Sequence, residues 1–223
     1  MLLYYITDRT QFAGEESGRR SALLLKIGEC ARAGVDYIQL REKDLSGREL
    51  ESLARQALQQ LRAAGSQTRL LINSRSDIAI ACGLDGVHLR SGNEDPPAGD
   101  VRAIFGSAGV SQPVIAASCH SEVEVNMAES QATDFAVFAP VFEKSGALGR
   151  GLSELRRICA KVSAADGKTE AVARPRLPVL ALGGVTLDNA ADCARAGAAG
   201  VAGIRLFQQN EVAQVVSKLR AVK

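Results

Sequence analysis

The chain has 223 residues, with 27 Lys and Arg against 25 Asp and Glu, and 46% of it is hydrophobic. That length supports a sizeable buried core, and a formal charge of +2 provides no basic face for nucleic acid or an anionic membrane. No apolar run approaches the ~20 residues that span a bilayer. The N-terminus enters a strand-like segment without a basic leader. The five cysteines are odd in number and lack C-x-x-C spacing, so a soluble cytoplasmic domain with reduced thiols and no zinc or other metal site is expected. A homo-oligomer stays open.

In chain order, β-rich runs fall at 2–7, 37–41, 69–73, 86–89, 114–118, 135–142, 178–182 and 201–206. Helical patterns such as 48–63, 122–130, 152–162 and 186–196 lie between them. A joint recurs ahead of the strands: Ala31-Arg-Ala-Gly-Val-Asp36 and Ala194-Arg-Ala-Gly-Ala-Ala-Gly200, with looser versions at 81–86 and 130–134. Each reads as a helix end capped by a left-handed residue, then a tight entry into a buried strand. A βα module used eight times predicts one (β/α)₈ TIM barrel over 1–223. An open doubly wound sheet is the rival, but no G-x-G-x-x-G follows the first strand. The polar stretch 163–176 reads as a surface insertion before the seventh strand.

A barrel carries its chemistry at the C-terminal ends of its strands. Those ends carry Gln39, Arg41 and Lys43, then Asn73, His88, Ser118 and His120, with Lys144 after the sixth strand. Strand alternation puts Gln39, Arg41 and Lys43 on one side, suited to an anionic ligand, and Glu42 on the other as a structural counter-charge. Gly183, Gly184 and Gly203, with Ile204 and Arg205, suit a phosphate, because bare backbone N–H groups approach its oxygens closely. The bland reading of these glycines is tight turns alone. His120 is one of only two histidines, and its place at a strand tip makes it the candidate proton carrier. Cys119 points the opposite way and reads as packing.

These pieces together resemble the thiamin phosphate synthase/TenI family over nearly the whole chain. The carriers are Tyr5-Ile-Thr-Asp8, Gln39-Leu-Arg-Glu-Lys43, Leu71-Ile-Asn73, Asp85-Gly-Val-His-Leu89, Ser118-Cys-His120, Pro140-Val-Phe142, Ala181-Leu-Gly-Gly-Val185 and Gly200-Val-Ala202. The resemblance implies a (β/α)₈ barrel in thiamin metabolism that takes a small phosphorylated heterocycle.

The family's synthases join a hydroxymethylpyrimidine pyrophosphate to a thiazole phosphate and use Mg²⁺ to hold the departing pyrophosphate. The resemblance places its two metal carboxylates at Ser74 and Asn93, where this chain has neither. Glu94 or Asp95 could substitute only through a re-routed loop. The departures, with Val141-Phe-Glu143 and Gly149-Arg-Gly151, run toward the TenI branch. They lead to the expectation of a thiazole phosphate tautomerase, an isomerase in which His120 shuttles the proton and no cofactor is needed. The alternatives are a diverged synthase, for which alone Mg²⁺ would be called, and a non-catalytic thiamin phosphate binder, which Arg90 in place of a family glycine makes plausible.

Overall fold

The computed structural model describes residues 1–92, 94–143, 148–160 and 177–222. Eight strands close a parallel barrel in sequence order, with β8 pairing back onto β1. They are β1 (Leu2–Ile6), β2 (Tyr37–Leu40), β3 (Arg69–Asn73), β4 (Gly86–Leu89), β5 (Val114–Cys119), β6 (Phe135–Phe138), β7 (Val179–Ala181) and β8 (Gly200–Gly203). Around them run α1 (Glu16–Ala33), α2 (Gly47–Ala63), α3 (Ser76–Cys82), α4 (Ala98–Ser107), α5 (Glu122–Ser130), α6 (Gly151–Ala160), α7 (Ala190–Arg195), α8 (Arg205–Gln208) and α9 (Val212–Arg220). The (β/α)₈ barrel expected from the repeated module is the fold observed. The stretch 163–176 lies outside the described residues, as do Asn93 and Lys144.

The recurring joint has a physical basis. Gly34, Gly83 and Gly197 adopt φ of 80°, 69° and 97°, a conformation open to glycine without a Cβ clash. At the fourth joint Ala132 holds φ 56° without that freedom. The aspartates of the joint then fasten strand pairs. Asp36 accepts from the Leu3 amide at 2.7 Å, Asp85 from Leu70 at 2.7 Å and Asp134 from Ile115 at 2.7 Å. Three odd-numbered strands are thus tied to their even-numbered successors by one device, while Ala199 stands at the corresponding place before β8.

Side chains sort into two cores. Tyr4, Ile6, Leu71, Val114, Ala116, Phe135, Val137, Leu180 and Ala202 fill the barrel interior. Tyr4 and Phe135 meet edge-on with ring centroids 5.3 Å apart. The outward strand residues, among them Leu3, Tyr5, Ile38 and Ile72, pack against the helices.

The rim between β1 and β2 is closed by ions. The Arg9 guanidinium, 3% exposed, reaches Glu42 at 3.1 Å, Asp44 at 2.6 Å and Glu16 at 2.8 Å. Thr7 Oγ1 donates to Glu42 Oε1 at 2.5 Å and accepts from the Arg41 amide at 2.9 Å. Burial pushes the Glu42 carboxyl above the ordinary range, although Thr7 and Arg9 pull it down. Glu42 is therefore the structural counter-charge that strand alternation anticipated.

Several element ends differ from expectation. The sixth strand stops at Phe138, because the chain leaves the ladder at Ala139-Pro140. The eighth stops at Gly203, and Leu206 belongs to the one-turn helix α8. The seventh helix is shorter than 186–196 and starts at Ala190, after a turn in which Asn189 Oδ1 reaches back to accept from the Thr186 amide at 2.8 Å.

Candidate active site

The strand-end residues converge. Gln39, Arg41, Lys43, Asn73, His88, Ser118 and His120 line one cavity of about 350 Å³ at the C-terminal mouth, with Arg90, Ser91 and Glu94 on its rim. Gly183, Gly184, Gly203, Ile204 and Arg205 line a second cavity of about 530 Å³. The two share Leu182 and Ile204 as a common wall. Lys218 on α9 also lines the second cavity, a cation the strand-end rule could not find because it comes from the last helix. Lys144 lies outside the described residues.

The glycines answer to two demands. A Cβ on Gly183 would come within 2.7 Å of Pro140 Cα, and one on Gly184 within 2.7 Å of Phe142 Cβ. Both also hold positive φ, 92° and 65°, so close packing and turn geometry alone require them. Yet the backbone amides of Gly183, Gly184, Ile204 and Arg205 find no acceptor among the described residues, and all four residues line the cavity.

His88 and His120 have opposite environments. His88, 2% exposed, has Nδ1 3.0 Å from Tyr4 Oη and Nε2 2.8 Å from Ser118 Oγ. Burial, with the Arg41 charge, lowers its pKa to about 3, so the ring is neutral. The buried Tyr4 hydroxyl has no other partner among the described residues and donates to Nδ1. His88 then carries its proton on Nε2 and donates to Ser118, leaving the Ser118 hydroxyl proton for the cavity. Both His88 nitrogens are taken, so His88 can reach a ligand only through Ser118.

His120 is exposed just beyond β5. Its Nδ1 lies 2.7 Å from the Ala139 carbonyl oxygen, which can only accept. Nδ1 is thus protonated and Nε2 is the free nitrogen in the cavity. The His120 amide donates to the Glu124 carboxylate, which fixes the start of the turn into α5. Cys119 is buried, and burial pushes its thiol up to about 12, as suits packing rather than nucleophilic work.

A hydrogen-bonded chain runs along the third and fourth strand ends. Gln39 Nε2 donates to Asn73 Oδ1 at 3.0 Å, Asn73 Nδ2 to Ser74 Oγ at 3.3 Å, and Ser74 Oγ to Asp95 Oδ2 at 2.8 Å. Ser74 holds φ 60°, a costly backbone for a non-glycine residue, and that turn aims its hydroxyl at Asp95. Asp95 thus stands as the carboxylate bound to the Ser74 hydroxyl. Asp95 is already engaged: Arg90 donates to it from its amide at 2.6 Å and from Nη2 at 3.0 Å. Desolvation raises the Asp95 pKa, but the bonds from Arg90 and Ser74 outweigh it and hold the carboxyl below the usual range. Among the described residues no three His, Cys, Asp or Glu side chains form a metal-binding group. The donor set, the Glu94 and Asp95 carboxylates both paired to Arg90 and a Ser74 hydroxyl already donating, does not fit the Mg²⁺ that the family resemblance calls for.

The fold and these cavities define a (β/α)₈-barrel protein with its polar and cationic side chains gathered at the C-terminal mouth. A sequence model of the family described as thiamine monophosphate synthase matches residues 3–207, and the chain belongs to that family of thiamin-biosynthesis enzymes. It is 38% identical over 185 residues to the thiamine-phosphate synthase of Chlorobium luteolum, covering 83% of this chain and 79% of that one. It is 36% identical over 204 residues to the thiamine-phosphate synthase of Methanoculleus marisnigri, covering 90% and 84%. The thiamine phosphate pyrophosphorylase of Pyrococcus furiosus superposes with a TM-score of 0.76 at 26% identity, covering 99% of this chain and 94% of that one.

These relatives overturn the expected tautomerase. They are named as synthases, which are transferases, and the similarity extends over most of the chain. The isomerase reading rested on absent carboxylates at 74 and 93. Among the described residues no helix is long and apolar enough to cross a membrane.

Proposed function

We propose that this chain condenses a pyrimidine methyl pyrophosphate with a thiazole phosphate to give thiamin phosphate and pyrophosphate. The observation that carries the reading is the pair of adjoining cavities, one lined by Arg41, Lys43, Ser118 and His120 and the other by open backbone amides with Arg205 and Lys218. Two anionic substrates need two such places, side by side. The relatives' names support the same reaction.

The thiazole phosphate belongs in the amide cavity, on the N–H groups of Gly183, Gly184, Ile204 and Arg205, with Gly203 leaving the approach clear. The pyrophosphate belongs with Arg41 and Lys43, neither of which makes an ion pair among the described residues. The thiazole nitrogen pair forms the bond to the pyrimidine methylene carbon. The methylene carbon–oxygen bond breaks and its electron pair leaves on pyrophosphate. No substrate proton is lost, so His120 is not needed as a base. As the imidazolium, with Nδ1–H still held by the Ala139 carbonyl, it donates from Nε2 to the departing oxygen. Ser118 donates its free hydroxyl proton, and Gln39 and Asn73 frame the pyrimidine edge.

The test is thiamin phosphate formation from the two substrates by the wild-type chain and by Arg41→Met. The reading expects turnover by the wild type and a loss of about tenfold or more in the variant, the worth of one charge-assisted hydrogen bond. Full activity in Arg41→Met would remove Arg41 from the pyrophosphate site.

A further inference from the structure

The acidic loop after β4 closes on a cation of its own. Arg90 Nη1 lies 2.6 Å from Glu94 Oε2, Nη2 lies 3.0 Å from Asp95 Oδ1, and the Arg90 amide is 2.6 Å from Asp95 Oδ2. Nη2 also donates to the Glu94 carbonyl oxygen at 3.2 Å. The Asp95 side chain is 6% exposed, and its Oδ2 also accepts from Ser74 Oγ at 2.8 Å. A small loop therefore closes on a planar cation, with one carboxylate on each of two guanidinium nitrogens.

We propose that Arg90 is a tethered cation that occupies the acidic loop and keeps a divalent metal out of it, so that the condensation proceeds without Mg²⁺. The inference rests on the condensation proposed above. Mg²⁺ demands near-octahedral oxygen ligands and gives up water reluctantly. Here it would have to displace a guanidinium held by several charge-assisted bonds from its own loop. The two carboxylates use up the Arg90 charge, and the departing pyrophosphate is neutralised instead by Arg41 and Lys43 on the same cavity. Arg90 thus satisfies the acidic loop and keeps it from recruiting a metal, while the transferable positive charge comes from β2. Its exposed side chain makes substitution there compatible with folding.

The experiment is a Mn²⁺ titration followed by electron paramagnetic resonance, on the wild type, Arg90→Ala and Arg90→Ala/Asp95→Asn, together with product formation in Mg²⁺ and in EDTA. Expected results are an undiminished free-Mn²⁺ signal with the wild type, capture of Mn²⁺ by Arg90→Ala, and loss of that capture when Asp95→Asn is added. Thiamin phosphate should form at the same rate in both buffers. Capture of Mn²⁺ by the wild type, or none by Arg90→Ala, overturns the tethered cation. Turnover in Mg²⁺ alone overturns it too, while leaving the condensation standing. No product in either buffer defeats the condensation itself, and the Mn²⁺ titration still decides whether Arg90 fills a metal site.

Discussion

Tyr4 Oη lies 3.0 Å from His88 Nδ1, and that contact, made in the middle of the barrel, sets which way the Ser118 hydroxyl points. Tyr4 donates, His88 passes its Nε2 proton toward Ser118, and Ser118 is left a donor to the cavity. Tyr4→Phe removes the polarity of this chain. The Ser118 proton can then turn back to His88, and turnover should fall roughly tenfold, the loss of one hydrogen bond to a charged group. Ser118→Ala should cost little more in the Tyr4→Phe background than Tyr4→Phe alone. Additive losses in the double variant would show that Tyr4 acts by packing.

His88 also makes the fold sensitive to acid. Its folded pKa is about 3, below the ordinary value of 6.5, so the unfolded chain binds more protons between those limits. Its contribution to stability is complete above the unfolded value and is lost as pH falls toward the folded one. At pH ~4.5 the wild type should lose roughly 2–3 kcal/mol relative to neutral pH beyond what His88→Gln loses. Urea unfolding of both proteins at the two pH values measures the difference. Equal losses would mean that His88 titrates normally.

Arg9 holds Glu42 in a nearly closed environment, with side chains 4% and 1% exposed. Arg9→Met should destabilise the barrel by about 3–5 kcal/mol, because it leaves a buried carboxylate without its cation. Arg9→Met/Glu42→Gln should recover part of that loss. Urea midpoints of the three proteins decide it, and a single variant as stable as wild type would refute the pairing.

The recurrent strand joint predicts two substitutions of opposite sign. Ala132 holds φ 56° where the sister joints carry glycine, so Ala132→Gly should stabilise by about 0.5–1 kcal/mol. At Gly34, φ 80° with open space around the missing Cβ, Gly34→Ala should destabilise by about 1–2 kcal/mol from backbone strain alone. Thermal or chemical unfolding of the pair tests this, and the same sign for both would contradict it.

The barrel was legible in the sequence because its signals are local. The alternating runs and the glycine joints each lie within a few residues. Strand ends were less legible, since alternation does not separate the last residues of β8 from the first turn of α8. The cavity lining could be read because a barrel sends every strand end to one mouth. What stayed hidden depends on long-range partners. Tyr4 satisfies His88 from 84 positions away, and Asp95 reaches Ser74 from 21 positions away through a loop whose path no pattern reveals.

The most direct measurement of the central claim is the stoichiometry of the reaction. The purified chain would be given a pyrimidine methyl pyrophosphate and a thiazole phosphate, and pyrophosphate release would be followed alongside thiamin phosphate. The account predicts one pyrophosphate per thiamin phosphate and a sharp loss of both in His120→Ala. Pyrophosphate released without thiamin phosphate, or no release from a folded chain with both substrates bound, would contradict it.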